Sequence, residues 1–187
     1  KDEKNKSLIN KIIIGFVLSG IGIVIMYTTW YWVPGIVFDT RSVMISISGL
    51  FFGFIPTVIL MAVTTIIRLV MGGGGQWMGI AVIITSGTIG LLWRYFRPNW
   101  KEKKYKLELL GMGLTVHLVM ALCTLLLPPA KILLTLQTIA IPLFFVYTPV
   151  TVLLGILMIN QYKNSENRYA QMRLIEAEKR FVQILDS

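Results

Sequence analysis

Two arginines carry the clearest chemistry in this sequence. Arg41 and Arg68 stand at the two ends of a stretch, 42–67, that contains no charged residue. A guanidinium donates two parallel hydrogen bonds to a carboxylate, so this residue type suits a small anion. Asp39 precedes Arg41 by two positions and is a third candidate, as a ligand residue or as the partner of an arginine. We therefore predict an anion site at Arg41, Arg68 and Asp39, with anchoring of both arginines at lipid headgroup level as the alternative.

Three other positions are weaker candidates for ligand contact. Gly73 belongs to a run of glycines, 72–75, which forms a flexible linker or lets the backbone approach another group closely. His117 is the only histidine and stands in the middle of a long apolar run, and Tyr147 lies close to Pro149 in another. For both side chains, packing against a neighbouring helix is the alternative role.

Residue types that other kinds of chemistry need are scarce. A single cysteine, Cys123, excludes an intrachain disulfide framework and a cysteine-based zinc site, and one histidine argues against a histidine-rich metal site. We interpret Cys123 as a packing residue. The sequence contains no phosphate-binding GxxxxGK[ST] motif and no recognisable set of nucleophile, base and orienting residue. We expect no cofactor, no metal and no catalysis in this chain.

The elements that must position the arginines are membrane helices. Hydrophobic residues make up 55% of the 187 residues and charged residues 14%, and the mean hydropathy is +0.71. A soluble domain has about 25% charged residues. A spanning helix needs about 20 predominantly apolar residues, and five charge-free stretches are long enough: 12–38, 42–67, 69–93, 109–130 and 132–162. The sequence predicts an all-α integral membrane protein.

The basic residues predict how the chain crosses the membrane. They cluster in 1–11, 94–106 and 163–180, next to apolar runs, which is typical of cytoplasmic segments and lipid headgroup contact. This distribution argues against nucleic-acid binding despite a net charge of +9. If 42–67 folds back as a helical hairpin, 15 of the 18 basic residues fall on one side, and if it crosses once, 12 do.

We favour the hairpin over a single span for residues 42–67. Gly49, Gly53 and Pro56 supply a plausible hinge, because proline disrupts the preceding helical turn and glycine permits a tight one. A single helix from Arg41 to Arg68 would be about 40 Å long, against a hydrocarbon core of ~30 Å. The hairpin predicts six helices at about 8–33, 42–53, 55–70, 76–94, 107–127 and 132–161, the last kinked near Pro142 and Pro149.

The end of the chain changes character. Residues 162–187 are rich in charge, and five apolar positions repeat there at spacings of four and three, namely Ala170, Leu174, Ala177, Phe181 and Ile184. Such a heptad seam is typical of a two-stranded coiled coil. We predict a cytoplasmic N-terminus at 1–7, a sensor domain at 8–161 and a signalling helix at 162–187. The signalling helix joins a homodimer; a solvated surface helix is the alternative.

Several short motifs follow one another in a recognisable order over about 8–161. They are Phe38-Asp39-Thr40-Arg41, the Gly49–Gly53 run, Arg68 before Gly72-Gly73, Gly90-Leu91-Leu92, Arg97-Pro98 and Ala140-Ile141-Pro142. Together they resemble the LytS/YehU-type five-transmembrane receptor domain, the 5TMR-LYT family of bacterial sensor proteins. The final Ala177–Ser187 stretch resembles the entry into a PAS domain.

The resemblance implies a ligand-sensing module in the bacterial inner membrane, placed before a histidine kinase or a diguanylate cyclase. Arg41 and Arg68 fall on the two arginines of the family pattern. Some members sense pyruvate through a cysteine and a serine after the Gly-Gly loop, where this chain has Met78-Gly79-Ile80-Ala81. The family also looks distantly like the six-helix substrate-capture subunits of vitamin transporters, and a solute-binding transporter subunit is the alternative function.

Overall fold

The computed structural model describes residues 2–28, 40–102 and 104–185, with side chains at 7–28, 40–102 and 104–176. The described elements are all helical: α1 (Asp2–Tyr27), α2 (Arg41–Phe52), α3 (Phe54–Met71), α4 (Gln76–Phe96), α5 (Tyr105–Cys123), α6 (Pro129–Pro142) and α7 (Thr148–Leu185). A 3₁₀ turn, Thr124–Leu126, follows α5, and a π-helical turn, Leu143–Tyr147, joins α6 to α7. Five of the helical segments are long and apolar enough to cross a membrane. The prediction of an all-α, multi-pass membrane protein is confirmed.

The predicted hairpin is present, and its turn is at Gly53. The φ angle of Gly53 is 82°, a left-handed conformation that favours glycine, and it separates α2 from α3. The hydroxyls of Ser48 and Thr57 hydrogen-bond across the turn at 3.1 Å, and the Thr57 hydroxyl also donates to the Gly53 carbonyl at 2.7 Å. Pro56 lies in the first turn of α3, where no helical N–H is lost.

Helix α2 is the centre of the bundle, although it is the shortest of the seven α-helices in the described residues. Its 12 residues extend about 18 Å at ~1.5 Å per residue, which is too short to span the hydrocarbon core. It packs against α1, α3, α4, α5 and α7, and most of its side chains are buried. Burial within protein supplies the surroundings that a helix end and a turn need at membrane depth.

The contact between α2 and α4 is backbone against backbone. A Cβ added at Gly90 would collide with the Ser46 carbonyl oxygen, and one added at Gly49 would lie 2.8 Å from the Leu91 nitrogen. Small residues allow such close approach of membrane helices. Gly49 is therefore a packing position inside α2, as its small-residue spacing from Gly53 predicts, and it is not part of the turn.

The two ends of the bundle differ in charge. At one end, which we call the basic end, Gly53 contacts the Arg94 guanidinium, and the 97–104 loop reaches α7 where the Lys101 ammonium lies 4.2 Å from the Tyr162 ring centroid. Helix α1 starts at this same end, because Gly15 and then Gly22 meet successive turns of α3. The three basic clusters therefore share one end, as the hairpin hypothesis requires. The opposite end, which we call the arginine end, holds Arg41, Arg68 and the glycine loop 72–75.

Two helix boundaries differ from the predicted ones. Helix α1 was expected at 8–33 but begins at Asp2 and ends at Tyr27. Its polar start contains Glu3, Lys4 and Lys6, which are good helix formers. The last helix was expected at 132–161, but the helical course starts at Pro129 and continues to Leu185. The expected irregularity after Pro142 takes the form of the π-helical turn, which restores the backbone pairing that proline interrupts.

Candidate functional site

Arg68 lies in the last turn of α3 and is held against two glycine segments. The side chain is only 6% exposed, and its Nη1 donates a hydrogen bond to the Gly72 carbonyl oxygen at 3.0 Å. Its stem crosses α4 at Gly79, where an added Cβ would lie 2.5 Å from Nε and 3.1 Å from Cδ. An arginine this deeply buried beside an apolar region needs polar groups around it, and the Gly72 carbonyl is one of them.

Arg41 begins α2 and is 7% exposed. Ser42, the next residue, is also buried, and its hydroxyl has no hydrogen-bond partner among the described residues. The helix N-terminus carries unsatisfied N–H groups and the positive end of the helix dipole. Arg41, Ser42 and the start of α2 together make a buried, donor-rich environment that favours negative charge.

The hairpin places Arg41 and Arg68 at similar depth. Counted from Gly53 at ~1.5 Å per residue, Arg41 lies about 18 Å along α2 and Arg68 about 22 Å along α3. Helices α2 and α3 run in opposite directions from that turn and pack against each other. Both guanidinium groups therefore belong to the arginine end, as the sequence predicts.

Lys131 is a third cation at this end. Its Nζ lies 3.9 Å from where a Cβ of Gly74 would stand, so the start of α6 reaches over the glycine loop. Gly72 and Gly73 in that loop have φ angles of 61° and 91°, which require glycine. The candidate Gly73 thus shapes the loop that Arg68 and Lys131 contact.

Carboxylates are missing from the described part of the arginine end. Between Glu3 and Glu102 the only acidic residue is Asp39, and there is none between Glu108 and Glu166. Asp39 lies outside the described residues, so its role as a ligand residue or arginine partner stays a prediction. Like charges held near one another favour a bound anion, because each cation is stabilised by the opposite charge.

His117 and Tyr147 form a second polar group inside the bundle. His117 is fully buried on α5, its Nδ1 lies 3.1 Å from the Thr148 hydroxyl, and its ring stacks on Tyr147 at 6.0 Å between centroids. The Thr148 hydroxyl donates to the Leu143 carbonyl of the π-helical turn, so the hydrogen-bond network assigns the donor role to His117 Nδ1–H. His117 Nε2 is buried without a hydrogen-bond partner among the described residues.

His117 and Tyr147 lie farther from the arginine end of the bundle than Arg41 and Arg68 do. The Thr85 hydroxyl and the Cys123 sulfur, 4.0 Å apart, mark a common level of α4 and α5. Along α4 toward the basic end, Thr85 lies about 9 Å from Gly79, which contacts Arg68. Along α5 in the same direction, His117 lies about 9 Å beyond Cys123. A small ligand at Arg68 is therefore remote from His117 and Tyr147, and their role as ligand residues stays a separate prediction. The buried Cys123 packs in an apolar cluster with Met120, in keeping with its interpretation as a packing residue.

Two residues of the arginine end were not named as site residues in reasoning from the sequence, although the hairpin topology places Lys131 on the same side as the arginines. Gly79 makes the space in which the Arg68 stem lies, and its only signal is a glycine in the first turn of an apolar helix. Lys131 has a clearer signal, since Arg41, Arg68 and Lys131 are the three cations outside the basic clusters.

A family model described as 5TMR of 5TMR-LYT matches residues 1–161. No curated protein and no solved structure matches the chain. The matched residues include all the helices of the bundle through the first part of α7, with both arginines and the glycine loop.

Proposed function

The chain belongs to the 5TMR-LYT family, and from that premise we propose that it binds a small anionic metabolite, a carboxylate in particular, between Arg41 and Arg68. Membership makes it a membrane sensory domain of LytS-type receptors, which is a sensor and not a catalytic domain. The ligand, its site and the route by which it signals belong to our proposal.

One observation carries the ligand class. Two arginines less than a tenth exposed share one end of the bundle with Lys131, and the buried Ser42 hydroxyl and the start of α2 lie at the same end. A carboxylate ligand satisfies the fork geometry of a guanidinium with two parallel hydrogen bonds. The direct test is ligand-induced thermal stabilisation of the chain and of its arginine variants, whose expected results open the Discussion.

We place the arginine end outside a bacterial inner membrane and the basic end in the cytoplasm. The start of α1, the 94–106 loop and the start of the tail share the basic end, and clusters of lysine and arginine favour the cytoplasmic side. A ligand then enters from the outside, where the glycine loop accepts a hydrogen bond from Arg68 and lies against Lys131 of α6.

Cysteine labelling tests this sidedness. In a Cys123→Ala background, we expect Gly74→Cys and Ala130→Cys to react with a membrane-impermeant maleimide in intact cells. Asn99→Cys, exposed in the loop of the basic end, is the matched control and should react only after permeabilisation. Reaction of Gly74→Cys from the cytoplasmic side alone would contradict the topology.

Contacts at the basic end support transmission from α2 to the last helix. Phe51 at the end of α2 packs edge-to-face on Trp100, with 4.8 Å between ring centroids. The neighbouring Lys101 lies over the ring of Tyr162 in α7. A ligand that binds one arrangement of α2 better than another shifts the bundle toward it, and these contacts pass the shift to α7.

We propose that α7 acts in a homodimer and leads to an output domain, such as a histidine kinase or a diguanylate cyclase behind a PAS domain. The helix is unbroken over its 38 residues, about 57 Å, so it continues far beyond the membrane. Ala170 and Leu174 of the heptad seam are exposed in the single chain, and the side chains of the later seam positions lie outside the described residues. A transporter subunit has no need of this extension, which favours the sensor over that alternative.

Disulfide crosslinking tests the seam. We expect Leu174→Cys and Phe181→Cys to crosslink between copies in membranes more readily than Glu178→Cys, because only the first two occupy heptad core positions. Equal crosslinking at all three positions would argue against a defined dimer seam.

A further inference from the structure

A groove at the basic end is not used by the anion site. It has a volume of about 660 Å³ and lies between the start of α3 and the end of α4. Its walls are mostly apolar and partly open: Phe54 is 69% exposed and Tyr95 77% exposed. The remaining wall residues are Gly53, Thr88, Leu91 and Leu92, and Arg94 is the one charged residue among the described residues of the lining.

Arg94 lines this groove and has hydrogen-bond donors that the described residues do not use. Its Nη1 donates to the carbonyl oxygens of Leu50 and Phe51, at 3.1 and 2.8 Å, and so caps the last turn of α2. Nε and Nη2 carry three further N–H groups, and neither atom has a hydrogen-bond partner among the described residues. The guanidinium rests on Gly53, where an added Cβ would lie 3.5 Å from Cζ.

The surroundings of Arg94 are crowded with positive charge. Burial and the Arg94 cation lower the pKa of Lys101, while Glu166 of α7 acts in the opposite direction. The acidic Glu108 is already engaged, because its carboxylate accepts hydrogen bonds from Arg97 at 2.8 Å and from Trp93 Nε1 at 3.0 Å. A negative group beside Arg94 would offset the repulsion between Arg94 and Lys101.

We propose that this groove binds an anionic phospholipid of the adjoining leaflet, with the phosphate on Arg94 and an acyl chain along Phe54, Leu91 and Leu92. The chemistry of the groove matches both parts of such a lipid, since an open apolar wall ends at a cation at headgroup level. Basic pockets between helices on the cytoplasmic side are typical sites for anionic headgroups. The lipid completes the hydrogen bonding of Arg94 and so strengthens the cap on α2.

The lipid site lies at the other end of α2 from Arg41. A lipid that holds the end of α2 restrains the same helix whose start belongs to the anion site, so we expect membrane composition to tune ligand response. The lipid site uses the sidedness proposed above but not the anion site, so loss of ligand binding in arginine-end variants would leave it standing.

Lipid retention tests the proposal. The detergent-purified chain is mixed with dioleoylphosphatidylglycerol or dioleoylphosphatidylcholine, and retained lipid is measured by native mass spectrometry. We expect the anionic lipid to bind about tenfold better, and Arg94→Gln to remove about that preference, since a charge-assisted hydrogen bond is lost. Because Arg94→Gln also weakens the α2 cap, Thr88→Trp is the second variant. It fills the groove, leaves Arg94 in place and should reduce retention of the anionic lipid equally.

Arg97→Gln is the matched control, because Arg97 is an exposed arginine near the same end that is paired with Glu108. We expect it to change retention by less than about twofold, as exposed ion pairs contribute little. Equal retention of both lipids by the unaltered chain would overturn the proposal, as would unchanged retention in Thr88→Trp. Release of the anionic lipid by excess inorganic phosphate alone would show a free-anion site and overturn it too.

Discussion

Arg68→Lys should weaken carboxylate binding by about 10- to 150-fold although it keeps the positive charge. A lysine ammonium is a point charge and cannot reproduce the two parallel hydrogen bonds of a guanidinium. Losing one hydrogen bond to a charged group costs about 1.5–3 kcal/mol, which corresponds to that range of affinity. Arg41→Ala and Arg68→Ala should abolish measurable binding, because each removes the whole charge and its donors.

The measurement is thermal stabilisation of the purified chain by a panel of small carboxylates, such as acetate, lactate and succinate, each compared with its uncharged amide. Arg168→Ala, which removes an exposed arginine of α7 outside the bundle, is the control and should behave as the unaltered chain. Stabilisation that persists in both Arg41→Ala and Arg68→Ala would show that the site is elsewhere. Equal stabilisation by an acid and its amide would contradict an anionic ligand.

Gly90→Ala should destabilise the bundle by about 1–3 kcal/mol, the usual cost of overpacking. An added Cβ at this position collides with the carbonyl oxygen of Ser46 and lies 3.0 Å from its carbonyl carbon, and neither can rotate away because both are backbone. Relief requires α2 to move away from α4, which also displaces Arg41 at its start. We therefore expect a lower midpoint of thermal unfolding and a weaker ligand response together.

Gly20→Ala is the matched control for this substitution. Gly20 is also a helical glycine, in α1, but an added Cβ there has no described atom within 4 Å. Alanine is the better helix former by about 0.5–1 kcal/mol, so Gly20→Ala should leave stability unchanged or slightly raised. If Gly90→Ala unfolds no earlier than Gly20→Ala, the close α2–α4 contact does not exist in the protein.

The features that could be predicted are those that depend on the pattern of charge and hydropathy along the sequence. Charge-free runs of spanning length predict membrane helices, because lipid excludes charges. The hairpin was predicted because a single crossing would separate the basic clusters and because glycine and proline interrupt the apolar run. The placement of Arg41 and Arg68 at one end follows from that hairpin alone.

Helix packing had no such signal. Since lipid and the interior of a membrane bundle are equally apolar, an apolar helix does not reveal in its sequence which face is buried. The Gly49-x-x-x-Gly53 spacing indicates close helix packing, but it does not say which helix lies against Gly49 or that α2 is central in the bundle. The two glycines also have different roles in the structure. One lies against α4 and the other makes the turn with a φ of 82°.

The sequence by itself determined the class of protein, and it favoured the hairpin that brings the two arginines to one end of the bundle. Charge and hydropathy act on each segment independently, and so they can be read without knowing its neighbours. Only the tertiary structure decided that the Arg68 stem crosses Gly79, that Lys131 lies over the glycine loop and that Arg94 caps α2. These contacts join residues far apart in the chain, and their geometry depends on how closely two backbones approach and on which face of each helix turns inward.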